Sequence, residues 1–229
     1  KNKLMKKKIA IIGAGIGGLT LANLLQKNSD FEFMIYEKEE TLNLEEGFGL
    51  QLAVNSVSVL NQINFSNLNK SEIYNPEKLD FYSNKEKICD LDLRQFNSET
   101  EKYTTLKRSS LIKFLKDQLF SNSIRFNKTI ESVDQKQDVL KIKFKDGTSE
   151  EVDHLVVSDG VFSQTKLIIE KKSFKPNYYG AIAVRTQIKA KDVLEFKTEN
   201  ISLFMSSKAH LVSYPVNDKG DINVVCVLR

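Results

Sequence analysis

The apolar positions change period along this 229-residue chain, and the changes mark the elements. Ile9–Ile12 is a short continuous apolar run that stops at Gly13, the signature of a buried parallel strand. Leu19, Ala22 and Leu25 then recur at helical spacing, and Phe31, Phe33 and Ile35 alternate as a second strand ending at Glu37. Within about thirty residues this is the grammar of a βαβ unit. The stretch GFGLQLAVNSVSVLNQI predicts a glycine turn and strand, then a helix capped by Asn55 or Ser56 and carrying Val57, Leu60 and Ile63 inward. KLDFYSNKEKICDLDL predicts a hairpin turning near Asn84. RSSLIKFLKDQLF predicts an amphipathic helix over Ser109–Phe120, with Ser109 as cap and Leu111, Leu115 and Leu119 inward. VLKIKFKDGTSEEV predicts a hairpin turning at Asp146-Gly147, and HLVVSDG an apolar strand running into a glycine turn. From Tyr178 onward the pattern is all strand: YYGAIAVRTQI, ISLFMSS, AHLVSYPV and DINVVCVL.

The elements therefore alternate between an α/β territory and a mainly antiparallel sheet. The expected boundaries are 6–75 with 101–172 for the first, and 76–100 with 173–229 for the second. No internal repeat or low-complexity linker interrupts them.

Composition changes this picture little. The chain is 41% hydrophobic and 28% charged with a formal net charge of +4, which is enough to build a core. The basic residues are scattered rather than gathered on one stripe with aromatics, so nucleic acid is not an expected partner. Cys89 and Cys226 lack metal-ligand spacing and read as buried free thiols in a reducing compartment. Lys6–Lys8 before an apolar run imitate a secretion signal. The glycines at motif spacing argue against it, no run reaches membrane-spanning length, and a cytoplasmic protein is expected. Met5 is the natural start expected for the frame.

GAGIGG supplies the strongest chemical signal. Gly13 allows a tight turn, Gly15 lets the backbone approach a pyrophosphate, and Gly18 lets the helix pack on the strand. Helix N-terminal amides and the dipole then favour phosphate. The motif follows a strand, opens a helix and precedes an acid at the end of the next strand, the context it requires. Glu37 there suits the hydroxyls of an adenosine ribose. The loop as a whole, with Gly17 and with Lys38 after Glu37, is the expected cofactor cradle. By itself it does not separate FAD from NAD. No Ser-His-Asp set, P-loop or zinc spacing occurs, so no metal site is expected.

LKRSSLIKFL and VVSDGVFSQTK carry a family resemblance. The chain resembles the FAD-dependent aromatic hydroxylases, the single-component flavin monooxygenases that include salicylate, 3-hydroxybenzoate and ubiquinone-pathway hydroxylases. The resemblance implies a Rossmann-like FAD-binding domain of the glutathione-reductase type, interleaved with a mainly antiparallel β-sheet substrate domain. Arg108 matches the family arginine near the flavin phosphates. Asp159, Gly160 and Ser163 match the Gly-Ala-Asp-Gly stretch and the Ser after it, whose Asp contacts the FAD diphosphate-ribose region and is linked to NAD(P)H use. GFGLQLAVN resembles the segment passing near the isoalloxazine, which implies cofactor roles for Gly49 and Gln51. The chain departs from the pattern at Val157-Ser158 for Gly-Ala, Val54 for Pro, and Lys166 for Arg, which keeps the charge without the bidentate fork. His210 and Tyr214 match a His and Tyr of some phenol hydroxylases, where the His is the base towards the phenol. A phenolate is the better nucleophile, and a base with a near-neutral pKa is suited to making it. Read from the residues alone, His210 and Tyr214 are equally a sheet histidine and a core aromatic. His154 has no expected role.

The implied function is an FAD-dependent monooxygenase. It would use NAD(P)H as co-substrate and O₂ to hydroxylate an aromatic or polyprenyl-aromatic small molecule. Alternatives are a related FAD oxidoreductase (an epoxidase or a prenyl reductase) or a truncated, non-catalytic FAD-binding fragment. A halogenase would show its own Trp motif, and the chain has no Trp. Oligomeric state is not legible. The family's second Gly-Asp motif does not occur before Arg229, and the final strand is expected to present an unpaired edge.

Overall fold

The computed structural model describes residues 6–44, 47–83, 86–172, 177–192 and 199–229. Met5 and the hairpin turn at Asn84 lie outside them. The first elements in chain order are β1 (Lys7–Ile12), α1 (Ile16–Leu25), β2 (Phe31–Tyr36), β3 (Gly49–Leu52), α2 (Val54–Asn61), β4 (Ile73–Tyr74), β5 (Lys78–Ser83) and β6 (Glu86–Asp92). They are followed by β7 (Thr104–Lys107), α3 (Arg108–Asp117), β8 (Ile124–Arg125), β9 (Ile130–Lys136), β10 (Val139–Phe144), β11 (Ser149–Val152), β12 (His154–Val157) and α4 (Gln164–Glu170). The last are β13 (Ile182–Ile188), β14 (Ile201–Met205), β15 (Ala209–Pro215) and β16 (Ile222–Leu228). By compactness the chain divides into residues 1–43 with 115–177, and 44–114 with 178–229.

In the first unit, β1 pairs in parallel with β12 on one side and β2 on the other, giving the order β12-β1-β2-β8. The strand is apolar on both faces because both are covered. Ala10 and Ile12 pack with Tyr36, Ile130, Ile142, Phe144 and Val152, beneath the antiparallel sheet β11-β10-β9. The Tyr36 and Phe144 rings lie 4.8 Å apart. Leu19 and Ala22 of α1 are fully buried, and so is Asn23. The Asn23 amide donates to the carbonyls of Leu19 and Leu115, both at 2.8 Å, which satisfies a polar group the apolar period did not foresee. The Asp146-Gly147 turn forms as expected, with Gly147 at φ +83°.

The second unit joins the distant hairpin and the C-terminal strands in one sheet, ordered β13-β16-β15-β14-β5-β6. Its pairs are antiparallel except for β14 with β5. A smaller sheet, β3-β7-β4, accompanies it. Leu93, Ile201, Tyr214 and Val216 form its core, and Phe65 meets Phe114 edge-on at 5.6 Å.

Four expectations are corrected. β16 is an inner strand bonded on both sides, to β13 and β15, so the edge belongs to β13. The sequence order of strands does not reveal that the last one inserts between two earlier ones. Helix α2 starts at Val54 with Ala53 as cap and no side-chain cap bond, so neither Asn55 nor Ser56 caps it. Helix α3 begins at Arg108, directly after β7, which puts Ser109 inside the first turn rather than at the cap. Cys89 is exposed on edge strand β6 and Cys226 is partly buried, because neither strand is covered on both faces as its apolar composition suggested.

Candidate functional site

The first candidate site lies in the first unit, where β1 runs into α1. Gly13 sits at φ +99°, and a Cβ there would fall 2.7 Å from the Ser158 carbonyl. A Cβ on Gly18 would fall 2.0 Å from the carbonyl of Gly13. These two glycines are required by the protein's own packing. Gly15 and Gly17 differ: a Cβ on either meets nothing within 4 Å, so that side of the loop is open. Gly15 caps α1 without a side-chain bond, leaving the first-turn amides without an intrahelical acceptor. An uncapped helix N-terminus behind an open glycine loop is a site for an anion.

Glu37 ends β2 beside this loop. One carboxylate oxygen accepts from the Ala14 N–H at 2.7 Å and the other from the Glu39 N–H at 3.1 Å. The acid therefore clamps the loop, and each oxygen keeps a lone pair for a further donor such as a hydroxyl. Lys38 is exposed and paired with Glu39 at 3.4 Å. Asp159 follows β12. Its Oδ2 accepts from the backbone and hydroxyl of Thr165 at 3.2 and 2.8 Å, while its Oδ1 is buried without a partner. A hollow of about 350 Å³ opens here, lined by Asp159, Gly160, Ser163 and Lys166 among others. An orphaned buried carboxylate oxygen beside a hollow fits a ligand bearing hydroxyls or amides.

The second candidate site lies in the second unit, on one face of the six-stranded sheet. Cross-strand partners share a face, as do residues two apart. The register pairs Gln187 with Asn223, Asn223 with Tyr214, Arg185 with Val225, Val225 with Val212, Val212 with Leu203, and His210 with Val227 and Met205. All of these therefore stand on the same face. The floor is apolar: Leu203, Met205, Val212, Val225 and Val227.

One end of this face is closed. The Gly49 N–H donates to Asn223 Oδ1 at 2.6 Å, and the Gln187 amide donates to the Gly47 carbonyl at 2.9 Å. A Cβ on Gly49 would meet Asn223 Cβ at 2.7 Å and Tyr214 Cε2 at 2.8 Å. Glycine at position 49 is thus required for β3 to approach the sheet. Gln51 accepts from the Tyr103 hydroxyl at 2.9 Å and also hydrogen-bonds Tyr214. Burial pushes the Tyr214 phenol up to about 12, against the lowering effects of Gln51 and the Arg185 guanidinium. At neutral pH Tyr214 is a protonated phenol. Arg108 is partly buried, and its N–H donates to the Phe48 carbonyl at 3.0 Å.

The other end is open. His210 is exposed and lines a cavity of about 520 Å³ with Leu203, Met205, Val212 and Val227. Tyr214 lies four positions along the strand from His210, about 13 Å between Cα atoms. They share the face as expected without touching. Sequence reasoning missed Arg185, Asn223 and Tyr103. A lone charged residue in the otherwise uncharged AIAVRTQI was the available signal for the first. The other two carried none, because their partners come from distant segments.

Residues 11–43 match the NAD(P)-binding Rossmann-like domain family. The chain is 24% identical over 228 residues to the 3-amino-4-hydroxybenzoate 2-monooxygenase PtmB3 of Streptomyces platensis, covering 97% of this chain and 57% of that one. This chain is a homologue of FAD-dependent monooxygenases. A second relative, the 6-hydroxynicotinate 3-monooxygenase of Bordetella bronchiseptica, is 26% identical over 187 residues, covering 79% of this chain and 47% of the relative. The fold matches that of Klebsiella pneumoniae HpxO complexed with FAD and uric acid, with a TM-score of 0.84 at 19% identity, over 99% of this chain and 58% of that one. The chain thus spans about half the length of the monooxygenases it matches. Among the described residues, no helix is long and apolar enough to cross a membrane, and no group of three or more His, Cys, Asp or Glu is placed to hold a metal ion.

Proposed function

We propose that this chain carries the nucleotide loop and the substrate face of an FAD-dependent monooxygenase, one that uses NAD(P)H and O₂ to hydroxylate an aromatic small molecule. The observation that carries the reading is the open, uncapped glycine loop at α1. Its support from outside the chain is the monooxygenase relatives, whose named substrates are hydroxylated aromatic rings. The functional division expected from the sequence (6–75 with 101–172 for FAD, the remainder for substrate) is part of the proposal, as is a cytoplasmic location.

Bound FAD would supply the redox and oxygen-transfer chemistry. The amides after Gly15 would hold the diphosphate, Gly13 and Gly18 keep the loop in shape, and Gly17 leaves room above it. Glu37 would accept ribose hydroxyls while holding Ala14, and the free oxygen of Asp159 would accept a further cofactor donor. Lys38, Gly49, Gln51 and Arg108 retain the cofactor roles that the resemblance implies. On the sheet face, the apolar floor would exclude water from an aromatic ring. Tyr214, protonated at neutral pH, would donate to a ring oxygen, and His210 would accept the phenolic proton.

The test is FAD titration of the purified chain, followed by product analysis with isotopically labelled O₂. Gly15→Val or Glu37→Lys is expected to abolish flavin retention, and normal occupancy in either variant counts against the loop assignment. His210→Ala in an enzyme of full length is expected to lower hydroxylation with FAD still bound, and turnover unchanged across pH removes His210 from the mechanism.

A further inference from the structure

Three side chains of the second unit, Tyr103, Gln51 and Tyr214, form a hydrogen-bonded series with a fixed direction. Gln51 stands on β3 opposite Thr105 of β7, and Tyr103 lies two residues before Thr105. The Tyr103 backbone is held on both sides. Its N–H donates to Asn97 Oδ1 at 2.8 Å, and its carbonyl accepts from the Asn75 amide at 3.0 Å. The Thr105 hydroxyl donates to the Pro215 carbonyl at 2.6 Å, which ties β7 to the residue after Tyr214. The Tyr103 side chain packs against the core cluster that contains Tyr214. Both phenols therefore meet the Gln51 amide from anchored positions.

A glutamine amide has one accepting end and one donating end. The Tyr103 hydroxyl donates to Gln51 Oε1 at 2.9 Å, which leaves Nε2 for Tyr214. Burial raises the Tyr214 phenol to about 12, and Gln51 opposes that rise, the sign of a donor to the phenol oxygen. Burial raises the Tyr103 phenol as well, so both are protonated at neutral pH. Tyr214 thus accepts from Gln51 and keeps its own proton for the sheet face. The bonds run one way, from Tyr103 through Gln51 to Tyr214, and bonds in series polarise one another. A neutral amide passes no proton onward, so the series orients Tyr214 rather than conducting protons.

We propose that Gln51 and Tyr103 are positioning residues that fix the Tyr214 hydroxyl as a hydrogen-bond donor to the sheet face. This deepens the monooxygenase reading and rests on it for the identity of the ligand, while the polarity itself involves no flavin. It gives Gln51 a task on the sheet besides the cofactor role that the resemblance implies.

The test is absorbance titration of p-nitrophenol with the 229-residue chain across pH, which reads the phenolate and the phenol separately. Arg185 and His210 stand on the same face and also act on the charge of the probe. The proposal is therefore read from differences among variants in which both are unchanged. Tyr214→Phe is expected to reduce the preference for phenolate about fivefold or more, as loss of a donor to a charged oxygen implies. Tyr103→Phe removes only a hydroxyl on the far side of Gln51. It should reduce the preference by about twofold, and by nothing in a Gln51→Leu background. Gln51→Glu offers two accepting oxygens and turns the Tyr214 proton away from the face. Gln51 is exposed, so this variant should fold as the parent does. It should reverse the preference, and the reversal should be lost in a Tyr214→Phe background, which separates polarity from the charge of the new carboxylate. No binding of the probe, an unchanged preference in Tyr214→Phe, or the parent's preference in Gln51→Glu overturns the proposal. So does a Tyr103→Phe effect that is absent, or that survives Gln51→Leu. FAD titration of the same samples is read separately. A preference that Gln51→Glu reverses in a chain that takes up no FAD sustains the polarity and refutes the monooxygenase reading. FAD uptake with a preference insensitive to position 51 refutes the polarity and leaves that reading standing.

Discussion

Gly18→Ala and Gly15→Ala are the same chemical change three residues apart, and they should have opposite consequences. A Cβ on Gly18 lies 2.0 Å from the Gly13 carbonyl oxygen, and 3.2 Å from Ile11 Cγ2. The oxygen is backbone, locked in a strand-to-helix turn, so α1 must lift off β1 by about 1 Å or more before the methyl fits. Overpacking of this kind costs about 1–3 kcal/mol, and more where backbone is the obstacle. Replacing Gly by Ala within a helix returns about 1 kcal/mol. The expected net loss is about 2 kcal/mol or more. With a urea m-value of about 2–3 kcal/mol/M, the midpoint should fall by close to 1 M. Gly15→Ala meets no protein atom within 4 Å, and Gly15 has an ordinary extended backbone. Its midpoint should stay within about 0.3 M of the parent, the small difference reflecting Ala as a poorer N-cap than Gly. FAD affinity should show the reverse emphasis, with Gly15→Ala impaired despite normal stability, because its methyl occupies the side left open for the ligand. The assay is urea denaturation followed by far-ultraviolet circular dichroism, since the chain has no Trp, paired with FAD titration of the folded variants. A Gly18→Ala midpoint equal to the parent's would refute the packing argument. A destabilised Gly15→Ala would refute the claim that Gly15 serves the ligand rather than the fold.

Two further outcomes follow from the second unit. Gly49→Ala should destabilise by about 2–4 kcal/mol, combining overpacking against Asn223 and Tyr214 with loss of a buried hydrogen bond, and a urea midpoint equal to the parent's would contradict this. Asp221 is raised by burial, but the Lys107 ammonium, the Ala190 N–H and the Asn217 amide outweigh that and hold its carboxyl well below the usual carboxylate range. A depressed folded pKa means that the stabilisation is present above the unfolded carboxylate pKa and is lost as pH falls through the folded one. Asp221→Asn should therefore cost about 2–4 kcal/mol at pH 7, and the gap from the parent should narrow in the acid range below about pH 4. A gap constant between pH 7 and pH 3 would show that the Lys107 pair is not its source.

The local signals in the sequence were strong where the chain answers to its neighbours in sequence. GAGIGG, the apolar run before it and the acid at position 37 determined the β1–α1–β2 unit, because turn geometry, helix packing and strand burial are all settled within thirty residues. The alternation after Tyr178 determined that those segments are strands, and Asp146-Gly147 determined a hairpin. The tertiary structure alone decided what no local period encodes. β16 inserts between β13 and β15, and β5 pairs in parallel with β14, choices set by long-range hydrogen bonding rather than by composition. That order puts Arg185, Gln187, Asn223, Tyr214 and His210 on one face, and brings Gly49 against Asn223 across 174 residues of chain. It also separates glycines that the motif treats alike: Gly13 and Gly18 face backbone, while Gly15 and Gly17 face open space. A sequence motif records that small residues are needed, and only the folded backbone shows whether the space is reserved for the protein or for a ligand.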